Sequence, residues 1–302
     1  MAYTLYTLAN EAYVPAVVAL VNSVREQGFA GPICIGSTEP LSIASQANDG
    51  IEYEVLPESD FWPGNRKAEL ILARPAERFV FLDADMVVSD GRVMERFDEW
   101  LDVGPVFAIE ALMSPVDYRR WGWARRLGLE RPDRGWPMTY FNSGLFAGDF
   151  ARDGEIVRRW HAAGEAALAP PARLGDDPDF PMADQDTLNA VLQDVDVPTV
   201  GLGPPDVWAA ASPLNPFLHI GTFDPPAILH CTGKQKPWAF EVPPDREPHP
   251  YDLGWYRHVV AEPGVLRTDV EPSAQLRAWF EGEPLARAAT RARHLRKRLL
   301  GE

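Results

Sequence analysis

Hydrophobic residues follow two spacings along this chain, and their alternation predicts an α/β protein. Short apolar runs rich in β-branched and aromatic residues are typical of buried strands, and apolar residues three and four apart are typical of helices. Strands are predicted over 3–8, 32–35, 51–56, 79–82, 106–109, 139–150 and 227–230. Helices are predicted from Pro15 to Gly28 and over 67–73, 152–166 and 184–194. This order indicates a single Rossmann-like, mostly parallel central sheet flanked by helices.

Two stretches show neither spacing. Residues 110–138 place Trp121, Trp123 and Trp136 among proline, glycine and arginine, which indicates an excursion over the sheet. Residues 168–181 are rich in proline and aspartate, which is typical of a surface loop. Because no internal repeat is present, the pattern predicts one domain over 1–264 and a helical C-terminal extension over 265–302.

The most apolar predicted strand, Phe79-Val80-Phe81-Leu82, runs directly into Asp83-Ala84-Asp85. A buried strand cannot carry charge in its middle, so both acids belong at its carboxyl end, where open α/β sheets bind ligands. Acids two residues apart on extended backbone point the same way, with the small Ala84 between them. Paired carboxylates suit Mg²⁺ or Mn²⁺. A strand-end turn with solvated acids explains an isolated pair equally well.

Composition and charge exclude several classes of protein. Hydrophobic residues make up 46% of the 302 residues, yet no stretch approaches the ~20 apolar residues of a membrane span. The formal net charge of −15 argues against a general nucleic-acid binder. Cys34 and Cys231 do not make a disulfide framework, and the first residues lack the basic start of a signal peptide. A cytoplasmic location is therefore expected.

The C-terminal tail is basic, unlike the rest of the chain. From Leu285 onward there are six basic residues and one acid, whereas the first 284 residues carry 23 basic and 43 acidic residues. An apolar stripe at helical spacing runs through the tail, formed by Leu285, Ala289, Ala292, Leu295 and Leu299. Two interpretations stay open. The tail is either a helix that caps the acidic body or a basic amphipathic helix on an anionic membrane, peripheral to its inner face.

Another polar group follows the strand predicted at 227–230. His230 ends that strand, so its imidazole can reach the edge that carries the two acids and supply a third metal ligand. Gly233 lets backbone N–H groups approach an anion, and Lys236 adds a positive charge. A metal, a glycine turn and a lysine together suit a diphosphate. Taken singly, a core histidine, a turn and a solvated base explain them equally well.

Four stretches together resemble glycosyltransferase family 8, the family of glycogenin and bacterial lipopolysaccharide galactosyltransferases, which has the GT-A fold. They are the buried strand into Asp83-Ala84-Asp85; Phe141-Asn142-Ser143-Gly144-Leu145; Asp184-Gln185-Asp186 followed by Leu188-Asn189; and the segment from His230 to Trp238. The likeness covers residues 3–240 and keeps the order and spacing of the family. It implies a retaining hexosyltransferase that uses a UDP-sugar and Mn²⁺, with Mg²⁺ as an alternative cation.

The resemblance also implies a role for each matching residue. Asp83, Asp85 and His230 would hold the metal. Thr7, Leu8, Asn10 and Tyr13 would bind uridine, Ala84 would lie near the ribose, and Gly233 and Lys236 would bind the diphosphate. Lys67, Asn142, Ser143, Asp184 and Gln185 would surround the donor sugar, and Asp184, Gln185 and Lys236 are the candidate catalytic residues. From the residues alone, Asn10 also fits a helix cap, Asn142 a turn, and Asp186 an electrostatic support of the helix start.

The expected chemistry is front-side attack with retention of configuration. Gln185 lies near the right face by resemblance, but an uncharged amide is a poor nucleophile, so the acceptor hydroxyl is expected to lose its proton to the departing phosphate oxygen. Two departures from the family matter. Pro181 stands where the family often has an acid, which Asp176, Asp177 or Asp179 would replace. Residues 187–229 contain no tyrosine, which counts against self-glucosylation.

An external acceptor is therefore expected, either a carbohydrate, a lipid-linked molecule or a small molecule. Whether the protein forms a homodimer stays open.

Two other functions compete with this one. The Asp83-Ala84-Asp85-Met86-Val87 run also fits a haloacid dehalogenase-type phosphotransferase, with residues 175–179 as its second acidic motif. The third interpretation is a non-catalytic nucleotide-sugar binder. It would be favoured if the protein bound UDP without a metal and did not turn over UDP-sugars.

Overall fold

The computed structural model describes residues 3–45, 50–129, 137–195, 197–203, 206–209, 226–233, 235–244 and 246–282. The basic tail beyond Pro284, with its two interpretations, lies outside these residues, and so does Trp136. Among the described helices, none has the length and apolar character needed to span a bilayer.

Strands and helices alternate along the chain, as predicted. The helices are α1 (Val14–Glu26), α2 (Lys67–Ala73), α3 (Arg92–Val103), α4 (Tyr118–Leu127), α5 (Phe150–Ala167), α6 (Asp184–Asp194), α7 (Pro250–Tyr256) and α8 (Ala274–Glu281). The strands are β1 (Thr4–Ala9), β2 (Ile33–Ser37), β3 (Ala44–Ser45), β4 (Ile51–Val55), β5 (Arg78–Leu82), β6 (Met86–Val88), β7 (Val106–Met113), β8 (Met138–Asp149), β9 (Val200–Leu202), β10 (Val207–Ala209), β11 (Ile228–His230) and β12 (Leu266–Arg267). Short 3₁₀ turns cover Glu11–Tyr13, Pro63–Arg66 and Pro237–Ala239, and a π-helical turn (Arg257–Ala261) follows α7.

The main sheet has seven strands in the order β4-β2-β1-β5-β8-β7-β9. All of them run in one direction except β8, which is antiparallel to both β5 and β7. Parallel neighbours need long return connections, and the helices between the strands supply them. The sheet is therefore mostly parallel, as predicted. Its carboxyl edge, where ligands bind in such folds, collects the ends of β1 and β5.

Apolar clusters cover both faces of this sheet, which explains why its central strands are apolar throughout. Side chains alternate along β1, so that Leu5 packs in the cluster containing α1 and Tyr6 packs in the opposite cluster with Trp160 of α5. α1 is buried from Val14 to Val24. The carboxyl edge thus belongs to a sheet that is held firmly from both sides.

A second sheet, ordered β10-β11-β6, joins distant parts of the chain. β11 runs antiparallel to β6 and pairs His230 with Met86. Beyond the strand ends, the Cys231 N–H donates to the Asp85 carbonyl oxygen at 2.9 Å. This pairing sets His230 beside the residues that follow β5.

The segment after α7 is bound to α1 through one asparagine. Asn22 Nδ2 donates to the His258 and Leu266 carbonyl oxygens, both at 2.9 Å, and Asn22 Oδ1 accepts from the Leu266 N–H. Phe280 of α8 is buried and its ring lies 5.8 Å from that of Trp255. The described residues after 264 therefore contribute to the core that α1 and α7 build.

The structure corrects two expectations about local conformation. The Asp83-Ala84-Asp85 run is not extended backbone but a turn, in which the Met86 N–H donates to the Asp83 carbonyl oxygen at 3.1 Å. Residues 110–138 are not an irregular excursion throughout, because β7 continues to Met113 and α4 follows, with Asp117 Oδ1 accepting from the Arg119 N–H at its start. Four arginines within α4 leave it too small an apolar face to show a helical period.

Candidate functional site

A cavity of about 230 Å³ opens at the carboxyl edge of the main sheet. Most residues of the predicted site line it: Leu8, Asn10, Tyr13, Lys67, Asp83, Ala84, Asp85, Asn142, Ser143, Asp184, Gln185, His230 and Lys236. Two predicted residues do not. Thr7 is fully buried within β1, and Gly233 lines a neighbouring cavity with Cys231 and Tyr251. The fold thus brings the separate sequence motifs to one place.

Asp83, Asp85 and His230 offer three ligand atoms that all lie within 4.8 Å of one another. His230 Nε2 is 3.2 Å from Asp85 Oδ1 and 3.7 Å from Asp83 Oδ2. The turn after β5 supplies the two acids, and the pairing of β11 with β6 supplies the imidazole. Carboxylate oxygens suit hard cations, and an imidazole shifts the preference toward transition metals. The donor set therefore fits a divalent cation.

Gly144 of β8 packs directly against this metal group, the name used below for Asp83, Asp85 and His230. A Cβ on Gly144 would stand 2.6 Å from Asp83 Oδ2 and 2.7 Å from His230 Cε1. The Asp83 N–H donates to the Gly144 carbonyl oxygen at 2.7 Å, so the backbone of β8 also fixes the turn. Only glycine leaves both ligands where they are.

Gly144→Ala is therefore expected to weaken Mn²⁺ binding about 10- to 100-fold, the usual cost of displacing a supporting group around a metal. The added methyl group must push Asp83 or His230 out of position. Calorimetric titration with Mn²⁺ measures the effect. Gly164→Ala is the matched control, because a Cβ there would meet nothing within 4 Å. Unchanged affinity in Gly144→Ala would contradict the assignment of the metal group.

Lys67, the first residue of α2, holds two acids of the site at once. Its Nζ lies 2.8 Å from Asp83 Oδ1 and 3.1 Å from Asp184 Oδ2, and it donates to Ser143 Oγ at 3.2 Å. Burial lowers the pKa of Lys67, but the Asp184 and Asp83 carboxylates raise it more, and the lysine stays charged. Burial also raises the pKa of Asp184, against the lowering effect of Lys67. The Lys67 ammonium therefore links Asp83, which follows β5, to Asp184, the first residue of α6.

Lys236 pairs with the other acid of the metal group. Its Nζ lies 2.6 Å from Asp85 Oδ2, and it also donates to the Cys231 carbonyl oxygen. Burial raises the pKa of Asp85, but His230 and Lys236 outweigh burial and hold this pKa well below its usual range. The Lys236 ammonium stands 5.8 Å from the ring of Tyr13. Tyr13 and Lys236 therefore close the same end of the cavity.

Asn142 and Ser143 reach the cavity from β8. Asn142 Oδ1 accepts from the Gly144 N–H at 2.8 Å, and Asn142 Nδ2 donates to Glu110 Oε2 at 3.0 Å. Asn142 thus bonds the local backbone, which agrees with its interpretation as a turn residue. It also lines the cavity. Ser143 Oγ donates to Asp184 Oδ2 at 2.7 Å and ties β8 to α6.

α6 begins at a strained residue. Ala183 has φ 45° and ψ −110°, a left-handed conformation that costs a residue with a side chain about 1–3 kcal/mol. The helix then places Asp184 and Gln185 on the cavity wall. Trp160 Nε1 donates to the Asp184 carbonyl oxygen at 2.9 Å, and Asn189 Nδ2 donates to that of Gln185 at 2.8 Å. The surrounding bonds therefore hold the strained start in place.

Asp186 does not line the cavity and is fully buried. The Tyr140 hydroxyl donates to its Oδ1 at 2.8 Å, and the Met182 N–H donates to its Oδ2 at 2.7 Å. Asp186 therefore supports the start of α6 mainly through hydrogen bonds. Burial raises its pKa to about 6.

This raised pKa predicts a loss of stability as the pH rises from about 4 to 6. In that range the folded state keeps a proton on Asp186 that the unfolded state, with a pKa of 3.8, has released. The difference between these two pKa values corresponds to a loss of up to about 3 kcal/mol in the free energy of unfolding. Urea unfolding of the wild type and Asp186→Asn across pH 4–8 checks it. The stability of the wild type relative to the variant should fall through this window and level off above it; a constant difference would contradict the prediction.

The outer wall of the cavity was not predicted from the sequence. It consists of Trp62, Pro63 and Gly64 before α2, and of Leu174 and Met182 from the loop before α6. A Cβ on Gly64 would stand 2.2 Å from the Trp62 ring, so the indole lies directly on the glycine backbone. An aromatic residue, a proline and a glycine just before a predicted helix were the signal that could have identified this wall.

Trp121 and Trp123 do not line the cavity, so neither indole ring is placed to stack on a sugar there. Trp123 is fully buried and its Nε1 donates to the Asp179 carbonyl oxygen at 2.8 Å, which is a core role. Trp121 is 48% exposed on α4 and lies outside the cavity wall.

The acids suggested as replacements for the family's acid at Pro181 also lie outside the cavity wall. They are Asp176, Asp177 and Asp179. Arg126 donates to Asp177, and Arg125 Nη2 donates to Asp179 Oδ2 at 3.0 Å. Asp177 and Asp179 therefore tie the loop to α4, whereas Asp176 accepts from the Arg173 N–H within the loop.

Some buried polar atoms of the predicted site lack a hydrogen-bond partner within the described part of the chain. They are Thr7 Oγ1, Asn10 Oδ1 and Gln185 Nε2. Asn10 precedes the 3₁₀ turn Glu11–Tyr13, but its side chain makes no capping hydrogen bond, so the helix-cap interpretation is not supported. An unpaired buried polar group costs about 1–3 kcal/mol, and native proteins usually satisfy such groups with water, an ion or a ligand.

Comparison with known proteins gives a likeness of structure only. No family model matches the chain, and no curated protein matches its sequence. Among solved structures, the chain resembles the bifunctional glycosyltransferase WbbM with a TM-score of 0.52 and 14% identity, over 85% of this chain and 51% of that one. It also matches the galactosyltransferase LgtC in complex with donor and acceptor sugar analogues (TM-score 0.47, 16% identity, 78% of this chain and 89% of that one). For an active-site mutant of LgtC the TM-score is 0.46 and the sequence identity is 15%, over 78% of this chain and 89% of that one.

The chain spans about half the length of WbbM, and the likeness to WbbM concerns the fold. The chain has the α/β GT-A fold that the sequence predicts, with a mostly parallel central sheet flanked by helices.

Proposed function

We propose that this protein is a retaining glycosyltransferase that moves a hexosyl group from a UDP-sugar to an acceptor hydroxyl in a Mn²⁺-dependent reaction, as a member of glycosyltransferase family 8. One observation carries the proposal. The metal group, two lysines and a buried aspartate converge on one cavity at the carboxyl edge of a GT-A sheet. The shared fold with the glycosyltransferase WbbM supports it.

Asp83, Asp85 and His230 would hold the cation. Two carboxylates and an imidazole fit Mn²⁺ better than Mg²⁺, since Mg²⁺ prefers oxygen ligands alone. When bound, the cation supplies charge stabilisation for the diphosphate leaving group. The close packing of Gly144 beneath two of the ligands is what a shaped metal site requires.

The remaining residues would bind the nucleotide. Tyr13, Leu8 and the unpaired oxygen of Asn10 would bind uridine, with Thr7 buried beside them in β1, and Ala84 would lie near the ribose. Lys236 would bind the diphosphate as a point charge, with Gly233 in the same segment. Unpaired polar atoms beside a cavity are consistent with a ligand rich in hydroxyl and carbonyl groups.

The donor sugar would be oriented by Lys67, Asn142, Ser143, Asp184 and Gln185, all of which line the cavity. Asp184 is already fixed by Lys67 and Ser143, so it is preorganised to bond sugar hydroxyls. Gln185 carries an unpaired Nε2 on the same wall. An amide cannot serve as an effective nucleophile, which favours front-side attack over a covalent intermediate.

Charge develops on the diphosphate as the anomeric C–O bond breaks. Lys236, at the same end of the cavity as Tyr13, would stabilise that charge, which is usually the largest catalytic contribution. The acceptor oxygen forms the new bond to the anomeric carbon, and its proton passes to the departing phosphate oxygen. The acceptor proposed is external, since no tyrosine occurs in residues 187–229.

The structure gives less support to the haloacid dehalogenase alternative. Its second acidic motif would need to face the first, but Asp177 and Asp179 bond the arginines of α4 instead. The alternative also leaves Ser143, Asp184 and Gln185 without a role, although they line the same cavity. A lysine on each acid of the metal group places positive charge where a leaving diphosphate would develop negative charge, which favours a transferase over a non-catalytic binder.

A panel of UDP-sugars with Mn²⁺ tests the proposal. We expect one UDP-hexose to be slowly hydrolysed to UDP and free sugar without an acceptor, with the released sugar first appearing as the α-anomer by NMR. Omitting the metal or adding EDTA is the control and should stop the reaction. If no UDP-sugar is bound or cleaved, or if phosphate rather than UDP is released, the proposed function is wrong.

A further inference from the structure

We propose that Lys236 competes with the divalent cation for Asp85, so that the cation binds tightly only together with a diphosphate. This inference rests on the proposed function for the nature of the ligands, but on the structure for the contact between lysine and acid. It adds a regulatory role to Lys236. Besides binding the leaving group, Lys236 prevents a cation from binding tightly to the metal group in the absence of a diphosphate.

The contact itself is short and largely buried. Lys236 Nζ lies 2.6 Å from Asp85 Oδ2, with side chains 15% and 11% exposed. His230 lies 3.2 Å from the other oxygen, Asp85 Oδ1. Both oxygens of Asp85 therefore already have partners. A cation that takes Asp85 as a ligand must come close to the Lys236 ammonium or displace it.

Charge within the cavity points to the same conclusion. Three carboxylates (Asp83, Asp85, Asp184) and two ammonium groups (Lys67, Lys236) line it, a formal net charge of −1 when histidine is counted as neutral. A divalent cation alone would change this to +1, with a positive charge 2.6 Å from a metal ligand. A diphosphate ester with two ionised oxygens would return it to −1. Because the cation and the diphosphate carry opposite charges in the same cavity, binding of one favours binding of the other.

Lys236 is the group able to make this exchange. Lys67 is bonded to Asp83, Asp184 and Ser143 at once, so moving it would break three contacts. Lys236 has one carboxylate partner and one carbonyl partner, at the end of the cavity where Tyr13 lies. A diphosphate arriving there offers the ammonium new oxygens, and Asp85 is then released for the cation.

Titration of the metal-free protein with Mn²⁺, followed by the EPR signal of the free ion, tests this without any measurement of activity. Lys236→Ala is expected to bind Mn²⁺ alone about 10-fold more tightly than the wild type, because the competing charge is gone. Lys236→Arg should bind like the wild type. Arg92→Ala removes one positive charge from an exposed position and should also bind like the wild type.

The second arm adds UDP or inorganic pyrophosphate to each titration. The diphosphate should raise the Mn²⁺ affinity of the wild type, and this gain should be about 10-fold smaller in Lys236→Ala. A gain with UDP and pyrophosphate alike assigns the effect to the diphosphate. Lys236→Met serves in place of the alanine variant if circular dichroism shows that the latter is unfolded.

Equal Mn²⁺ affinity in the wild type and a folded Lys236 variant would overturn the inference, and so would an equal gain from diphosphate. Absence of Mn²⁺ binding in every protein would overturn the inference and the proposed metal site together. Tighter Mn²⁺ binding by Lys236→Ala in a protein that transfers no sugar would support the inference and refute the proposed function.

Discussion

Asp85→Asn is expected to abolish Mn²⁺-dependent sugar transfer while the fold is kept. An amide oxygen is a far weaker ligand than a carboxylate, and the variant also leaves Lys236 without the charge that it pairs with. Loss of the cation removes the stabilisation of the leaving diphosphate, so kcat should fall by at least about 10³-fold. Turnover of the UDP-sugar found in the panel, measured with and without EDTA, gives the result.

Asp90→Asn is the matched control for this variant. Asp90 also follows the β5–β6 region and also carries one negative charge, but it pairs with the exposed Arg92. It should keep wild-type activity. Turnover in Asp85→Asn within about 10-fold of the wild type would refute the assignment of Asp85 as a metal ligand. An unfolded circular dichroism spectrum would contradict the expectation that the fold is kept.

Lys67→Met is expected to destabilise the folded protein by about 3–5 kcal/mol, the cost of breaking a buried ion pair from one side. Lys67 and Asp184 have side chains that are each 8% exposed, and the lysine also bonds Asp83. Without the ammonium, two carboxylates face each other across Ser143 with no counter-charge. Urea unfolding at pH 7 measures the difference in free energy.

Adding Asp184→Asn to Lys67→Met should restore part of that stability, because the second change removes the charge that the first left unpaired. The double variant should therefore be more stable than Lys67→Met alone. If the two changes add independently, Lys67 and Asp184 do not form the network described here. Activity should stay low in the double variant, since both residues line the cavity.

Local sequence patterns predicted most of the elements around the site. α2 and α6 begin and end at the residues that were predicted. A proline lies shortly before each helix, at Pro63 and Pro181, and both helices carry apolar residues at helical spacing, so their ends were well marked. α4 was missed because its arginines dilute the apolar face, although Asp117 caps it.

The direction of β8 could not be predicted in the same way. A strand alternates its side chains identically whichever way it runs, so the pattern of residues 139–150 holds no information on direction. The structure places β8 antiparallel between β5 and β7. As a result Gly144 meets Asp83 and His230 from the side opposite to α1, a contact between distant segments that no local pattern could show.

The candidate site was predictable where each residue ends a strand or begins a helix. Asp83 follows β5, His230 ends β11 and Asp184 begins α6, and the carboxyl end of a buried strand is where such folds bind ligands. The outer wall of the cavity was not predictable, because Trp62 and Leu174 belong to loops in which hydrophobic residues follow no regular spacing. The partners of the two lysines were not predictable either, since they depend on distances across the cavity.

The pairing of β11 with β6 has a consequence for the newly made chain. Asp85 and His230 are 145 residues apart in the sequence, and the loop between them must close before the metal group exists. At a synthesis rate of about 5–20 residues per second, the ribosome needs roughly 7–30 s to cover that distance. An unfinished chain that ends before β11 therefore carries its acids but cannot assemble the three-ligand group. The three-ligand group can therefore form only after most of the residues that line the cavity have been made; among them, Thr232 and Lys236 follow His230 in the sequence.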